Sequence, residues 1–270
     1  MKKTEINALI TLSFATAFFD FLTASDTQFI FARDRIMHIL ISCGIAFVAI
    51  CILQLVNINN YTVKIISLGL IGFRIVSVYL EAIKYYETFH GANTIAITIF
   101  SVCVALIYFK YSKDKLHLIY MFFVISNISV LLLVTVLSLK NINIINLYSN
   151  SLAFEFSVDK LYMFFDIFTI AVISENRKQC KSAQIIYLTS AAGVFILITL
   201  LQGLCVNGNL MYSISSLQSL MQIFTGETIK RYDYIITIYQ TLNYFAAVIL
   251  YMWALYSIFK NKEGAKNEII

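Results

Sequence analysis

Residues 207–233 read NGNLMYSISSLQSLMQIFTGETIKRYD and form the longest gap between two strongly apolar segments. Within it Leu210, Ile214, Leu217, Met221 and Phe224 recur at alternating steps of four and three, while Ser213, Ser216, Gln218, Ser219 and Gln222 fall elsewhere around the wheel. That spacing predicts an amphipathic helix over 210–224 with one apolar stripe, ended near Thr225-Gly226 by a C-cap-type glycine. The charged run Lys230-Arg231-Tyr232-Asp233 follows and leads at once into the next apolar segment. A short helix between two spans, closed by a basic–acidic pair, is a specific architectural feature, and its setting depends on how many spans surround it.

Composition settles the class. The chain is 60% hydrophobic and only 13% charged, with zero prolines. Soluble domains run near one-quarter charged, so a water-soluble globule is excluded and an all-α polytopic membrane protein is expected. The net charge of +5 is no nucleic-acid footprint, because Lys and Arg sit between the apolar runs and no basic cluster carries interleaved aromatics. In those positions they act as topology signals and as contacts for membrane lipid. Cys43, Cys51, Cys103, Cys180 and Cys205 show no CxxC spacing, and His38, His90 and His117 are scattered. No metal set, phosphate loop or nucleophile–base pair is visible, so neither an enzyme nor a bound cofactor is expected.

Eight apolar segments are candidates for spans: 6–24, 36–56, 65–83, 94–109, 118–139, 152–173, 185–206 and 234–259. A bilayer takes about 20 helical residues, so the fourth is short, and Lys110 and Tyr111 extend it by snorkelling. Gly69 and Gly72 in the third segment permit close helix approach. Short loops leave room for one transmembrane domain over 1–270 and no soluble one. With a cytoplasmic N-terminus, the inner side receives Lys2, Lys3, Lys64, Lys110, Lys113, Lys115, Arg177, Lys178, Lys181, Lys260, Lys262 and Lys266. The outer side receives half as many: Arg33, Arg35, Lys84, Lys140, Lys230 and Arg231. This asymmetry predicts an N-in/C-in chain and puts the 210–224 helix outside, capping the bundle mouth between spans seven and eight.

Ionisable residues inside spans are costly and are functional candidates by default. Asp20 lies about one turn from the outer end of segment one, above Thr16 on the same face, where it either meets water in an outer vestibule or faces a ligand or cation. Arg74 and Glu81 share a face of segment three with Ser77 between them; they either serve a ligand or bond to neighbouring helices. Segment six holds Glu155, Asp159, Lys160 and Asp166. Either its span starts near Leu161 and is short, or its helix is broken and lines a wet cavity. Asp166 is in the apolar part on both readings. The mid-span polar groups Ser126, Asn127 and Ser129 of segment five and Gln240, Thr241 and Asn243 of segment eight either line a pocket or bond between helices.

The stretch VFILITLLQGLCVNG (Val194 to Gly208), the helix 210–224 and IKRYDYI, with Arg231 and Asp233 in motif positions, together resemble the spore-germination permease family. Its members are polytopic subunits of nutrient germinant receptors within the amino acid/polyamine/organocation superfamily. Two shorter patches agree in order: Ala32-Arg33-Asp34, similar to a small-x-Asp entry to span two, and NINIINLYS (Asn141 to Ser149), similar to an Asn-rich exit from span five. The resemblance implies an inverted-repeat (5+5) transporter-like bundle, here short by its last two spans and lacking the prolines and the span-one glycines usual in such folds. It further implies a membrane subunit that binds a small nutrient such as an amino acid between segments one, three, six and eight. Its partners would be a larger membrane subunit and a lipoprotein, in the inner spore membrane or the cell membrane. Thr16 and Asp20 are then expected to meet a ligand ammonium or cation, Arg74 a carboxylate, and Asp166 to complete the site. Two other readings stand beside this one: a secondary transporter of amino acids or small organic ions, and a degenerate accessory membrane protein without ligand.

Overall fold

The computed structural model describes residues 3–23, 32–55, 61–90, 94–111, 116–139, 142, 164–174, 177–205 and 232–266. These residues form helices and short turns, with no strand among them. In chain order the helices are α1 (Lys3–Thr23), α2 (Ala32–Leu55), α3 (Tyr61–His90), α4 (Thr94–Tyr111), α5 (Leu116–Ser138), α6 (Asp166–Ile173), α7 (Arg177–Cys205) and α8 (Tyr232–Lys266). Among the described residues five stretches are long and apolar enough to cross a membrane: Thr4–Thr23, Ala32–Leu55, Ile65–Glu87, Lys178–Cys205 and Thr237–Phe259. Thr94–Ile107 and Met121–Val136 are shorter apolar helices. This is the architecture of an integral membrane protein, since a helix satisfies its own backbone where no water is available. The expected helix 210–224, the motif residue Arg231 and the Asn-rich patch apart from Ile142 lie outside the described residues. So does the side chain of Asp233.

The helix that sequence alone would treat as one span among eight is the axis of the bundle. From Ala8 to Leu22 nearly every side chain of α1 is buried. It packs most extensively on α8, then on α5 and α7, while α2 pairs chiefly with α7. A helix apolar on all sides belongs at the centre, and α1 has that pattern. The α3 helix is two-faced. Ser67, Ile71, Arg74, Val78, Ala82 and Tyr85 form a buried stripe at steps of three and four, and Phe73, Val76 and Leu80 are exposed opposite it. In a bilayer, that outer apolar face meets lipid.

Specific contacts fix relative directions. Asp20 with Arg74 and Thr23 with Glu81 pair α1 and α3 in the same order, so the two run the same way. Tyr79 with Thr98 and Glu87 with Thr94 pair α3 and α4 in opposite order. Arg35 with Gln202 and Gln54 with Gln184 do the same for α2 and α7. Tyr86 meets Thr241 and Tyr244, whereas Arg74 reaches Tyr251 through Asp166, so α8 runs against α3.

Two readings of the sequence are corrected here. Among the described residues a Cβ added at Gly69 or Gly72 would meet nothing within 4 Å, so neither glycine serves a close approach there. Arg35, read above as a topology signal in a loop, lies in the first turns of α2 and is buried. Its Nη1 donates to Gln202 Oε1 at 3.0 Å, its Nη2 donates to the Phe21 carbonyl at 3.3 Å, and its guanidinium lies 4.1 Å from the centre of the Phe21 ring. It is a junction of α1, α2 and α7. Aromatic stacking continues the seam, with Phe21 and Phe195 parallel at 4.3 Å.

Candidate functional site

Arg74 is on the inward stripe of α3, so its long side chain has only the bundle interior to enter. There its Nη2 donates to Asp20 Oδ2 of α1 and, at 3.3 Å, to Asp166 Oδ2 of α6. Tyr251 of α8 donates its hydroxyl to Asp166 Oδ1 at 2.9 Å. Asp20 and Asp166 are wholly inaccessible and Arg74 is 1% exposed. Four helices therefore contribute one polar side chain each to a dry ion cluster. Charges of this kind persist in a membrane interior only when paired and hydrogen-bonded.

The position of Asp166 follows from the shape of α6. The helix begins at Asp166, after a tight turn in which the Phe168 N–H bonds to the Phe165 carbonyl at 2.9 Å. Its N-cap, Phe165, supplies no side-chain bond. A carboxylate in the first turn faces the exposed N–H groups and the positive end of the helix dipole. At its other end the Ser174 N–H closes on the Ile170 carbonyl, and Gln184 of α7 donates to the Ile167 carbonyl at 2.8 Å, holding α6 in place. The described helix covers only the last eight residues of the 152–173 segment.

Two further acidic and polar groups adjoin the cluster. Glu81, one α3 face two turns beyond Arg74, accepts from Thr23 Oγ1 at 3.2 Å. Asp20 Oδ1 has no hydrogen-bond partner among the described residues, and neither do Nε2 and Oε1 of Gln240, a fully buried side chain on α8.

Of the residues singled out from sequence, Asp20, Arg74 and Asp166 come together. Thr16 is buried one turn from Asp20, but its hydroxyl turns back to the Leu12 carbonyl at 2.8 Å. Asp34 lies apart, in the first turn of α2 and half-buried. The amides of segments five and eight divide. Asn127 accepts from the Tyr239 hydroxyl, and Thr241 accepts from Tyr86 at 2.7 Å, which are interhelical bonds. Gln240 makes none. Tyr251 escaped sequence reasoning because one tyrosine among 17 in an apolar chain carries no signal of its own.

Chemically, two carboxylates share one guanidinium. The arrangement is a buried cluster in which one guanidinium serves two carboxyl groups, and one oxygen of Asp20 has no hydrogen-bond partner among the described residues. A solute bearing both an ammonium and a carboxylate presents the same two charges in separable form. Among the described residues no group of three or more His, Cys, Asp or Glu is placed to hold a metal ion. The fold and cluster define a polytopic helical membrane protein with a buried ion cluster where α1, α3, α6 and α8 meet. No family model, curated protein or solved structure matches the chain.

Proposed function

We propose that this chain is a membrane subunit of a nutrient receptor, resembling the germinant-receptor permeases, that binds a zwitterionic nutrient such as an amino acid at the Asp20–Arg74–Asp166 cluster. The observation that carries the reading is the convergence of these three residues with Tyr251 at the α1, α3, α6 and α8 junction. The ligand ammonium competes with Arg74 for the two carboxylates while the ligand carboxylate takes the released guanidinium. Exchanging an internal ion pair for two ligand pairs favours a state in which α1, α3 and α6 are rearranged, and differential affinity of this kind is what shifts a conformational equilibrium. Partner subunits, a larger membrane subunit and a lipoprotein by the same resemblance, would read that shift.

The wider architecture of this proposal is eight alternating spans, N-in and C-in, in a bundle like that of an inverted-repeat transporter. The opposed directions of α3 with α4, α2 with α7 and α3 with α8 support the alternation. The inner spore membrane or the cell membrane is its proposed location. A second reading, secondary transport of amino acids or small organic ions, adds the shortness of α6 to the same cluster. Two carboxylates share one guanidinium at the start of a short helix, and short or interrupted helices at mid-membrane are where transporters hold coupling ions.

Thermal unfolding of the purified protein with amino acids, sugars and nucleosides separates these readings from an inert scaffold. The proposal predicts that at least one amino acid stabilises the parent and fails to stabilise Asp20→Asn. No stabilisation by any member of the panel rejects nutrient binding. Proton- or sodium-coupled uptake into vesicles, weakened by Asp166→Asn, would favour transport over reception.

A further inference from the structure

Gln240 is the least explained polar group in the described bundle. It is wholly buried, yet both ends of its amide are without a hydrogen-bond partner among the described residues. A dry amide in that state is strongly disfavoured inside a bilayer, so a buried glutamine of this kind implies something that bonds to it. Its direction is set by helix geometry. Gln240, Tyr244, Ala247 and Tyr251 recur at steps of four, three and four along one face of α8. Tyr244 on that face packs against Phe19 of α1 and Tyr86 of α3, and Tyr251 bonds to Asp166. Gln240 therefore faces the seam between α1 and α3.

The same seam, one turn from Phe19 along α1, holds Thr23 bonded to Glu81. Because α8 runs against α3 and α1 runs with it, moving from Tyr244 back to Gln240 is the same step along the bundle as moving from Phe19 on to Thr23. By this register Gln240, Thr23 and Glu81 fall at one level of the bundle, about one turn beyond Asp20, whose Oδ1 has no hydrogen-bond partner among the described residues. What these groups share is oxygen: a carboxylate oxygen, an amide carbonyl, a hydroxyl and the second carboxylate bonded to it.

We propose that this layer is a site for a small monovalent cation, ligated by Asp20 Oδ1 and Gln240 Oε1 with Thr23 and Glu81 completing it. The cation is either an alkali ion or the ammonium end of an organic solute. Before any rearrangement Asp20 meets Arg74 on one oxygen and the exchangeable cation on the other, so the ammonium docks beside the pair that it then loosens. The site rests on the reading that this junction binds solute, and it specifies where the positive end goes.

The test uses the full chain in nanodiscs of uncharged lipid, with thermal unfolding followed at constant ionic strength in choline chloride. Choline is then replaced by sodium, potassium or methylammonium. A tenfold excess over the half-saturating concentration of a bound cation raises Tm by about 3–6 °C for a chain of this size. Gln240→Leu is expected to unfold at or above the parent temperature in choline, since it removes an unpartnered amide, and to lose the response to the cation. Glu81→Gln weakens the response while leaving the Arg74 pairs intact, and it serves if Gln240→Leu fails to fold. A sodium or potassium response assigns an ion site, and a methylammonium response alone assigns the amine of a solute. Equal Tm in all four salts, or an undiminished response in both variants, overturns the proposal. A cation response in a protein that no amino acid stabilises keeps this site and rejects the nutrient reading. An amino-acid response that neither choline nor Gln240→Leu alters does the reverse.

Discussion

Replacing Arg74 by leucine is the sharpest perturbation of the junction. Among the described residues Arg74 is the only cation paired with Asp20 and Asp166, and all three are out of contact with solvent. Removing one partner of a buried ion pair costs about 3–5 kcal/mol, because the other charge is left uncompensated. Here one deletion strands two carboxyl groups, although Tyr251 still donates to Asp166. That places the loss in the upper half of the range, a fall in Tm of about 10–15 °C at the usual 2–4 °C per kcal/mol for chains approaching this length. The triple variant Asp20→Leu/Arg74→Leu/Asp166→Leu removes every charge together. It should recover to within about 2 kcal/mol of the parent, as apolar replacements of whole buried ion clusters do. Thermal unfolding of the purified proteins in one detergent measures all three. An Arg74→Leu protein within 2 °C of the parent, or a triple variant as damaged as the single one, refutes the pairing of these charges.

Tyr251→Phe deletes one hydrogen bond to a charged acceptor, worth about 1.5–3 kcal/mol, so its Tm should fall by about 3–12 °C; an unchanged Tm removes Tyr251 from the cluster. Arg35→Lys keeps the charge but loses the planar stacking on Phe21 and the two-pronged reach to Gln202 and the Phe21 carbonyl. A loss of about 1–2 kcal/mol is expected, read by the same unfolding assay, and equal stability would show that only the charge matters at this position. For topology, the five native cysteines are replaced and single cysteines introduced by Thr4→Cys, Gly91→Cys and Gly264→Cys. A membrane-impermeant maleimide should label the first and third from one side and Gly91→Cys from the other; labelling of Thr4→Cys and Gly264→Cys from opposite sides contradicts eight alternating spans.

How much of this was legible beforehand depended on the physics of each residue. Helix positions were easy, since an apolar run long enough to cross a bilayer reads as a helix whatever its neighbours do. The segments at 36–56 and 94–109 became α2 and α4 with shifts of a few residues at their ends. Asp20, Arg74 and Asp166 were legible for the same reason in reverse: an ionisable side chain in such a run needs a partner, and each found one in the other two. The central place of α1 was not legible from its length, only from its lack of any polar face, a pattern that a lipid-bathed span also shows. Arg35 misled because positive charge near a segment end ordinarily marks a loop, and nothing local announces that Phe21 and Gln202 wait across the bundle. Tyr251 and Gln240 acquire meaning only from the face of α8 they share, which tertiary packing decides. Gly69 and Gly72 show the converse error, a close-approach pattern that is not used among the described residues.

The central claim is that a charged small solute is recognised where α1, α3, α6 and α8 meet. Isothermal titration of the parent, Asp20→Asn and Asp166→Asn with the amino acid that most stabilises the parent tests it most directly. Saturable binding by the parent, weakened at least tenfold in both variants that still fold, is the predicted result. Binding of equal strength in all three proteins, or heat in none, contradicts it.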